Sequence, residues 1–188
     1  MIIYRIHVSL LDIKPVIWRR VELSSQTTLK QFHRILQIAM GWENYHLHEF
    51  RVGTKRYGVP DPDYDDPGDV IVEARIPLYE VLPLAGAQIC YVYDFGDNWR
   101  HRIELEEIVP AQPEGEYPRV TDGARSCPPD DSGGISGYAN LLEILVDPTH
   151  KEHEDMRGWA GARFNAEVFS LKEINRRLRR NRSLSSMV

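Results

Sequence analysis

The amino-acid sequence predicts an α+β fold, with a mostly antiparallel sheet that is built from hairpins and packs against several helices. The first reason is that segments rich in bulky β-forming residues occur in pairs separated by short turns. The second is that helical patterns occur between these pairs without the regular strand–helix alternation of a parallel sheet. A length of 188 residues and the lack of an internal repeat predict one domain over residues 1–188.

The N-terminal segments predict a hairpin followed by a helix. Residues 4–12 and 16–23 alternate as strands do, and a Lys-Pro turn separates them. Thr28 is a suitable N-cap for a helix whose apolar residues recur every three or four positions. Gly41 is placed to end that helix.

The remaining elements follow the same patterns. They are a strand, a loop rich in proline and aspartate, a short helical segment, the central hairpin, a turn-forming corner and two helices. In chain order they cover residues 46–53, 59–69, 77–82, 87–109, 126–138, 138–147 and about 166–180.

Composition and charge limit the classes of function. Apolar residues make up 42% of the chain and charged residues 27%, an ordinary balance for a globular protein. The net charge of −5 argues against a general nucleic-acid coat protein or a binder of anionic membranes. Cys90 and Cys127 are far apart and favour reduced thiols over a disulfide. Without an apolar run near roughly 20 residues or a signal-peptide pattern, we expect a soluble, cytoplasmic protein.

The central hairpin carries the most unusual polar residues. Trp99 and His101 lie on the same side of its second arm as two aliphatic residues, which predicts that this side faces the core. The turn between the arms contains Asp94 and Asp97, and Gly96 supplies the backbone freedom that the turn needs. Burial would lower the pKa of His101, whereas the nearby carboxylates would raise it. Two roles stay open: a structural histidine whose ring nitrogens brace the turn, or a ligand or proton-transfer residue.

A pair of histidines indicates where a metal could bind. His46 and His48 are two residues apart in a predicted strand, so their side chains point the same way and could share an ion. Because two ligands are too few, a third would come from another segment. The candidates for it are His101, Cys127, Asp130 and Asp131. No cofactor is certain, but zinc, manganese or magnesium would suit these donors; the alternative is that one histidine packs inside while the other caps a loop.

The corner that starts at Cys127 combines prolines, aspartates and the double glycine Gly133-Gly134. Its glycines could bring backbone amides close to an anion at the start of a helix. Cys127 could also act as a nucleophile with His101 as its base. The alternative is a rigid corner that docks the following helix.

The C-terminal end predicts a basic helical tail at about residues 176–188. Its five arginines are Arg176, Arg177, Arg179, Arg180 and Arg182. Removing these five positive charges from the net charge of −5 leaves −10 for the rest of the chain, so charge is strongly segregated. Such a segment could contact nucleic acid. The alternative is a solvated helix face, the usual role of a run of like charges.

Four stretches together resemble a known family: KPVIWRRVEL, MGWENYHLHEF, YVYDFGDNWRH and CPPDDSGGISGY. In that order they are similar to the plasmid pRiA4b open-reading-frame-three (ORF-3-like) family, also labelled insertion-element passenger, TnpR-like. The resemblance implies a small α+β protein associated with plasmids and mobile elements. The family's Cys-Pro-Pro-Glu/Asp-Asp pattern falls on residues 127–131. Ser132 stands where some members have a further cysteine, which argues against a multi-cysteine zinc site.

Three functions are compatible with these observations. The first is a non-catalytic accessory domain that binds a small ligand or a protein partner in a polar cleft. That cleft would be formed by Asp94, Asp97, Trp99, His101, Cys127, Asp130 and Asp131. The second is a metal-dependent hydrolase or nuclease linked to DNA mobility, in which the ion lowers the pKa of bound water. The third is a DNA-binding accessory protein that uses the arginine-rich helix.

Overall fold

The structure, a computed structural model, describes residues 1–63, 65–66 and 68–181 and contains an eight-stranded sheet. The strands are β1 (Ile2–Leu10), β2 (Trp18–Ser24), β3 (His48–Val52), β4 (Lys55–Gly58), β5 (Val70–Val72), β6 (Gln88–Tyr93), β7 (Trp99–Pro110) and β8 (Arg119–Ala124). In space they follow the order β5-β4-β3-β6-β7-β1-β2-β8. Neighbouring strands pair antiparallel except β4 and β5, which are parallel. The predicted α+β class with a mostly antiparallel sheet is therefore confirmed.

Helices follow or separate the hairpins. They are α1 (Leu29–Met40), α2 (Leu78–Val81), α3 (Gly134–Val146), α4 (His153–Ala160) and α5 (Leu171–Arg180), with a short 3-10 helix at Glu73–Arg75. Within the described part of the chain, no helix has both the length and the apolar character that a bilayer crossing requires.

Helix α1 supplies much of the core that covers one face of the sheet. At its start Gln31 N donates to Thr28 Oγ1 at 3.3 Å, and Thr28 N donates to Gln31 Oε1 at 2.9 Å. This reciprocal pair is a capping box, and it confirms the predicted start of the helix. Gly41 ends the helix at φ 102°, a backbone conformation that favours glycine. Phe32 and Leu36 are fully buried in the core shared with the strands.

The sequence patterns do not predict β4, β5, β8 and α4. Strand β5 has only three residues, and α4 has no buried residue, so neither shows the periodicity by which elements are recognised. The predicted start of the last helix at residue 166 is wrong, because Ser170 caps it and accepts from Glu173 N at 3.3 Å. Val168, which the predicted range of this helix includes, is 51% exposed.

Helix α5 is docked on the sheet, although its sequence is dominated by charge. Leu178 is fully buried, and Ile174 packs against the core. The Asn175 side chain accepts from Val120 N and donates to Val120 O, each at 2.8 Å. Strand β8 is an edge of the sheet, so this amide pairs with backbone groups that have no neighbouring strand.

We predict that Asn175→Ala lowers the free energy of unfolding by roughly 1–3 kcal/mol, because two backbone groups of β8 lose their partner. Lys172→Ala, an exposed position in the same helix, serves as the matched control. Denaturant unfolding at pH 7 measures both variants. Equal stability of the two would show that the amide does not hold α5 to the sheet.

Candidate cation site at the end of the central hairpin

The turn between β6 and β7 is built around Asp94. Its Oδ1 accepts from Gly96 N at 2.9 Å and from Asp97 N at 3.3 Å, and its carbonyl accepts from Asn98 N at 2.6 Å. The left-handed conformations of the turn fall on Asp94 and Asn98, both at φ 56°, so the prediction that Gly96 supplies its backbone freedom is wrong. A Cβ at Gly96 would instead lie 3.2 Å from Asp94 Oδ1. Since one carboxylate oxygen braces the turn, the other is left to face His46.

The corner that precedes α3 docks directly on this turn. Gly133 N donates to Asp97 Oδ2 at 3.1 Å, so the anion at this amide is the chain's own carboxylate. A Cβ at Gly134 would lie 2.8 Å from the backbone oxygen of Asp97, and Gly134 has φ +67°. This close approach requires glycine. Docking of the corner therefore brings its aspartates to the end of the hairpin.

Asp130 is held from the other side by the end of α1. It accepts from Tyr93 Oη at 3.1 Å and from Glu43 N at 3.2 Å. Trp42 Nε1 donates to Pro128 O at 3.0 Å, and its ring stacks on that of Tyr93. Burial raises the pKa of Asp130 above its ordinary value. The carboxylate of Asp130 thus fixes the position of the corner.

Three side chains from three segments converge beside the turn. His46 Nε2 lies 3.2 Å from Asp131 Oδ1 and 3.6 Å from Asp94 Oδ2. One potential ligand atom from each residue lies within 4.8 Å of the others. Asp94 is buried and His46 is half-buried, whereas the Asp131 side chain is 71% exposed. The cluster is therefore anchored in the protein and open to solvent on one side.

The cluster has the donors of a cation site. His46 Nε2 is a buried atom with no hydrogen bond within the described structure, despite its short distances to the two carboxylates. Asp131, like Asp94, adopts a left-handed backbone conformation, with φ 59°. One imidazole and two carboxylates suit zinc or manganese and leave coordination positions for water or a ligand. This His/Asp cluster could hold a metal.

His48 has a different partner from His46. Its Nε2 lies 3.0 Å from Glu73 Oε2, and both side chains are largely buried. The imidazole of His48 stacks on that of His33, with ring centroids 3.4 Å apart and planes inclined by 3°. His48 therefore lies outside the three-residue cluster, although both histidines line the same cavity.

His33 belongs to a closed hydrogen-bond ring that the sequence patterns do not predict. Asn44 N donates to Gln37 Oε1 at 3.0 Å, and Gln37 Nε2 donates to Tyr91 Oη at 3.0 Å. His33 Nδ1 lies 2.8 Å from Tyr91 Oη, and its Nε2 lies 2.6 Å from Asn44 Oδ1. Since an amide oxygen only accepts, Nε2 carries the proton. Burial lowers the pKa of His33 to about 3, so its imidazole is neutral. The sequence signal that could have revealed this hydrogen-bond ring is the pair of polar residues His33 and Gln37, which are buried and four apart in α1.

His101 and Trp99 lie in the core behind the cluster. His101 is fully buried, and its Nδ1 bonds Tyr91 O on β6 at 3.2 Å instead of bracing the turn. Its ring packs edge-on against Trp42. Burial lowers the pKa of His101 to about 4. The expected opposing effect of Asp94 and Asp97 is absent; the groups that oppose the effect of burial are the backbone groups of Tyr91 and Trp99.

Cys127 is separated from the cluster by its own contacts. Both cysteines are free thiols, and Cys127 Sγ accepts from Arg19 Nη2 at 3.7 Å. Burial raises the pKa of Cys127 to about 11, which disfavours the thiolate that a nucleophile needs. No hydrogen bond joins Cys127 to His101 in the part of the chain that the structure describes.

The arginine-rich helix supplies no ligand atom to the cluster, although Arg177 lines a cavity together with Cys127 and Asp130. Arg176 pairs with Glu173 at 2.6 Å, and Arg179 lies 3.9 Å from Glu116. Arg177 and Arg180 are exposed. Arg182 lies outside the described residues, and nucleic-acid binding by this helix stays a prediction.

Comparisons with known proteins identify relatives over nearly the whole chain. A family model described as "Plasmid pRiA4b ORF-3-like protein" matches residues 2–173. The uncharacterized protein y4hQ of Sinorhizobium fredii (strain NBRC 101917 / NGR234) is 35% identical over 177 residues, or 93% of this chain and 89% of that protein. The crystal structure of MM3350, a protein of unknown function from Methanosarcina mazei Go1, has a TM-score of 0.82 and 36% identity. That match covers 92% of this chain and 97% of the other.

Burial of His101 predicts a loss of stability in acid. An unfolded histidine has a pKa of about 6.5, so as pH falls the unfolded state takes up a proton that the folded state resists until about pH 4. Between about pH 6.5 and pH 4, this difference in proton uptake at His101 lowers the free energy of unfolding by about 3 kcal/mol. His101→Gln cannot titrate and should lose less stability between pH 7 and pH 4.5 in denaturant unfolding. Because His33 also has a lowered pKa, the slope of the free energy of unfolding against pH should become smaller in the variant but not zero. An unchanged slope would contradict the role of His101 in the acid sensitivity.

Proposed function

The chain belongs to the plasmid pRiA4b ORF-3-like family, and on that premise we propose that it is a non-catalytic binding domain whose polar cleft holds a divalent cation. The ligands are His46, Asp94 and Asp131. The cation presents its open coordination positions to a small ligand or a protein partner. This function joins two expectations from the sequence, a polar binding cleft and a metal site.

The observation that carries the proposal is the convergence of three donor atoms from three separate segments. His46 precedes β3, Asp94 ends β6, and Asp131 lies in the corner before α3. Two carboxylates near one another repel unless a positive charge compensates them. His46 Nε2 has no hydrogen bond, although buried polar atoms normally have a partner. A divalent cation would compensate the carboxylates and accept the imidazole lone pair.

Binding fits the surroundings better than catalysis. Two further carboxylates of the turn and the corner, Asp97 and Asp130, are occupied by hydrogen bonds that hold the corner in place. His101 is buried in the core with its pKa lowered to about 4, so it is poorly placed to orient a water at the cation. A metal-dependent hydrolase or nuclease would use the same cation, and a cleavage assay on DNA with Mn²⁺ or Mg²⁺ separates it from a binding domain.

Titration calorimetry of tag-free, metal-free protein with Mn²⁺ and Zn²⁺ tests the site. We predict one cation per chain, with Asp131→Asn weakening the affinity by more than about tenfold because a charged ligand is lost. Asp155→Asn is the matched control, since it removes the same charge from an exposed residue of α4. We expect it to leave the affinity nearly unchanged, because solvent and salt screen the charge of an exposed residue outside the cluster.

Two results would overturn the cation site. One is the lack of stoichiometric heat for either ion. The other is an equal loss of affinity in the two aspartate variants, which would indicate diffuse attraction of cations to acidic surface. Circular dichroism of each variant confirms that the fold is retained.

A further inference from the structure

A cavity beside the cation cluster is the right size for a small organic molecule. Its volume is about 680 Å³, within the range of about 300–1,000 Å³ that ligand pockets usually show. It lies between α1, the start of β3 and the 3-10 helix, and His46 lines it. A molecule in this cavity is therefore next to one of the proposed ligands of the cation.

Three exposed apolar side chains line the cavity. Leu47 and Phe95 are each 48% exposed, and Val59 is 62% exposed. They come from different segments of the chain. Covering them with a ring or a short chain would remove apolar surface from water.

Two cations of α1 also line the cavity. Lys30 and Arg34 lie one turn apart on α1, are both exposed and line the cavity. Neither has a carboxylate within salt-bridge distance among the described residues, whereas Arg56, which also lines the cavity, pairs with Glu49 and lies 3.3 Å from Asp65. The two α1 cations are therefore available to an anionic group.

Four acidic residues also line the cavity, and each has a partner of its own. Glu49 is engaged by arginines, Glu73 lies 3.0 Å from His48, and Asp65 lies 3.3 Å from Arg56. Asp61 Oδ1 accepts from Asp63 N at 3.0 Å. The stacked pair of His33 and His48 also lines the cavity, and His33 is held neutral in its closed ring of hydrogen bonds. Lining residues fixed by hydrogen bonds need little reordering when a ligand binds.

We propose that this cavity binds a small organic anion with an apolar ring, its anionic group between Lys30 and Arg34 and its ring against Leu47 and Phe95. When the cation is bound, a further oxygen of the ligand completes its coordination; this part rests on the proposed function. Phosphate monoesters and carboxylates share the required chemistry, and the test distinguishes them.

Calorimetry with four probes tests the anion preference: phenyl phosphate, benzoate, benzylamine and inorganic phosphate. In EDTA we expect phenyl phosphate to bind at least about tenfold more tightly than benzylamine, which has a similar ring and the opposite charge. We also expect phenyl phosphate to bind more tightly than inorganic phosphate, which has no ring. Benzoate that matches phenyl phosphate would assign the site to carboxylates as well. Equal binding of phenyl phosphate and benzylamine, or no measurable binding of any probe at millimolar concentration, would overturn the proposal.

Matched variants locate the binding site. Arg34→Gln should weaken phenyl phosphate binding about tenfold, whereas Arg180→Gln, an equal charge change on α5 away from the cavity, should not. Phe95→Ala should weaken it several-fold, unlike Leu84→Ala, another exposed apolar residue outside the cavity lining. If each variant matches its control, the anion does not bind in this cavity.

Mn²⁺ separates this inference from the cation site itself. We expect Mn²⁺ to tighten phenyl phosphate binding in the native protein, and Asp131→Asn to remove that gain, measured as the ratio of the variant's affinities with Mn²⁺ and in EDTA. Failure of the cation site alone would appear as no Mn²⁺ binding, with the dependence on Arg34 in EDTA preserved. Failure of the anion site would appear as loss of the Arg34 dependence, with Mn²⁺ binding intact.

Discussion

Docking of the 127–134 corner on the β6–β7 turn is the contact on which the candidate site depends. The turn uses one oxygen of Asp94 to bind its own amides, and it uses the carboxylate of Asp97 to bind Gly133 N. Gly134 permits an approach to the Asp97 backbone that any side chain would block. This contact positions Asp131 beside Asp94 and His46, which belong to other segments of the chain.

The residues around this contact divide into those that support the site and those that remain available to a ligand. Asp97, Asp130 and Trp42 are engaged in hydrogen bonds that position the corner. The closed ring of hydrogen bonds through His33 and Tyr91 contains no charged group, and it fixes His33 in the lining of the adjacent cavity. Among the described residues, the second oxygen of Asp94 and the exposed carboxylate of Asp131 make no hydrogen bond that holds the turn or the corner. A cation and an organic anion would together use the groups that the structure leaves available.

Much of the fold is predictable from local patterns, but the site is only partly so. The capping box at Thr28, the alternation that buries Trp99 and His101, and the hairpin pairing are encoded by neighbouring residues. The sequence also marks the three segments that supply His46, Asp94 and Asp131. It does not show which polar residues in each segment face one another, because that depends on the docking of the corner. Hence His48 and Cys127, predicted as metal ligands by residue type, pair with Glu73 and Arg19 instead.

Zinc anomalous diffraction from crystals of tag-free protein soaked in Zn²⁺ tests the central claim most directly. We predict one strong anomalous peak about 2.0–2.2 Å from His46 Nε2 and from a carboxylate oxygen of each of Asp94 and Asp131. A zinc peak that lies elsewhere, with His46 and the two carboxylates still together and without metal, would contradict a cation site at the end of the central hairpin.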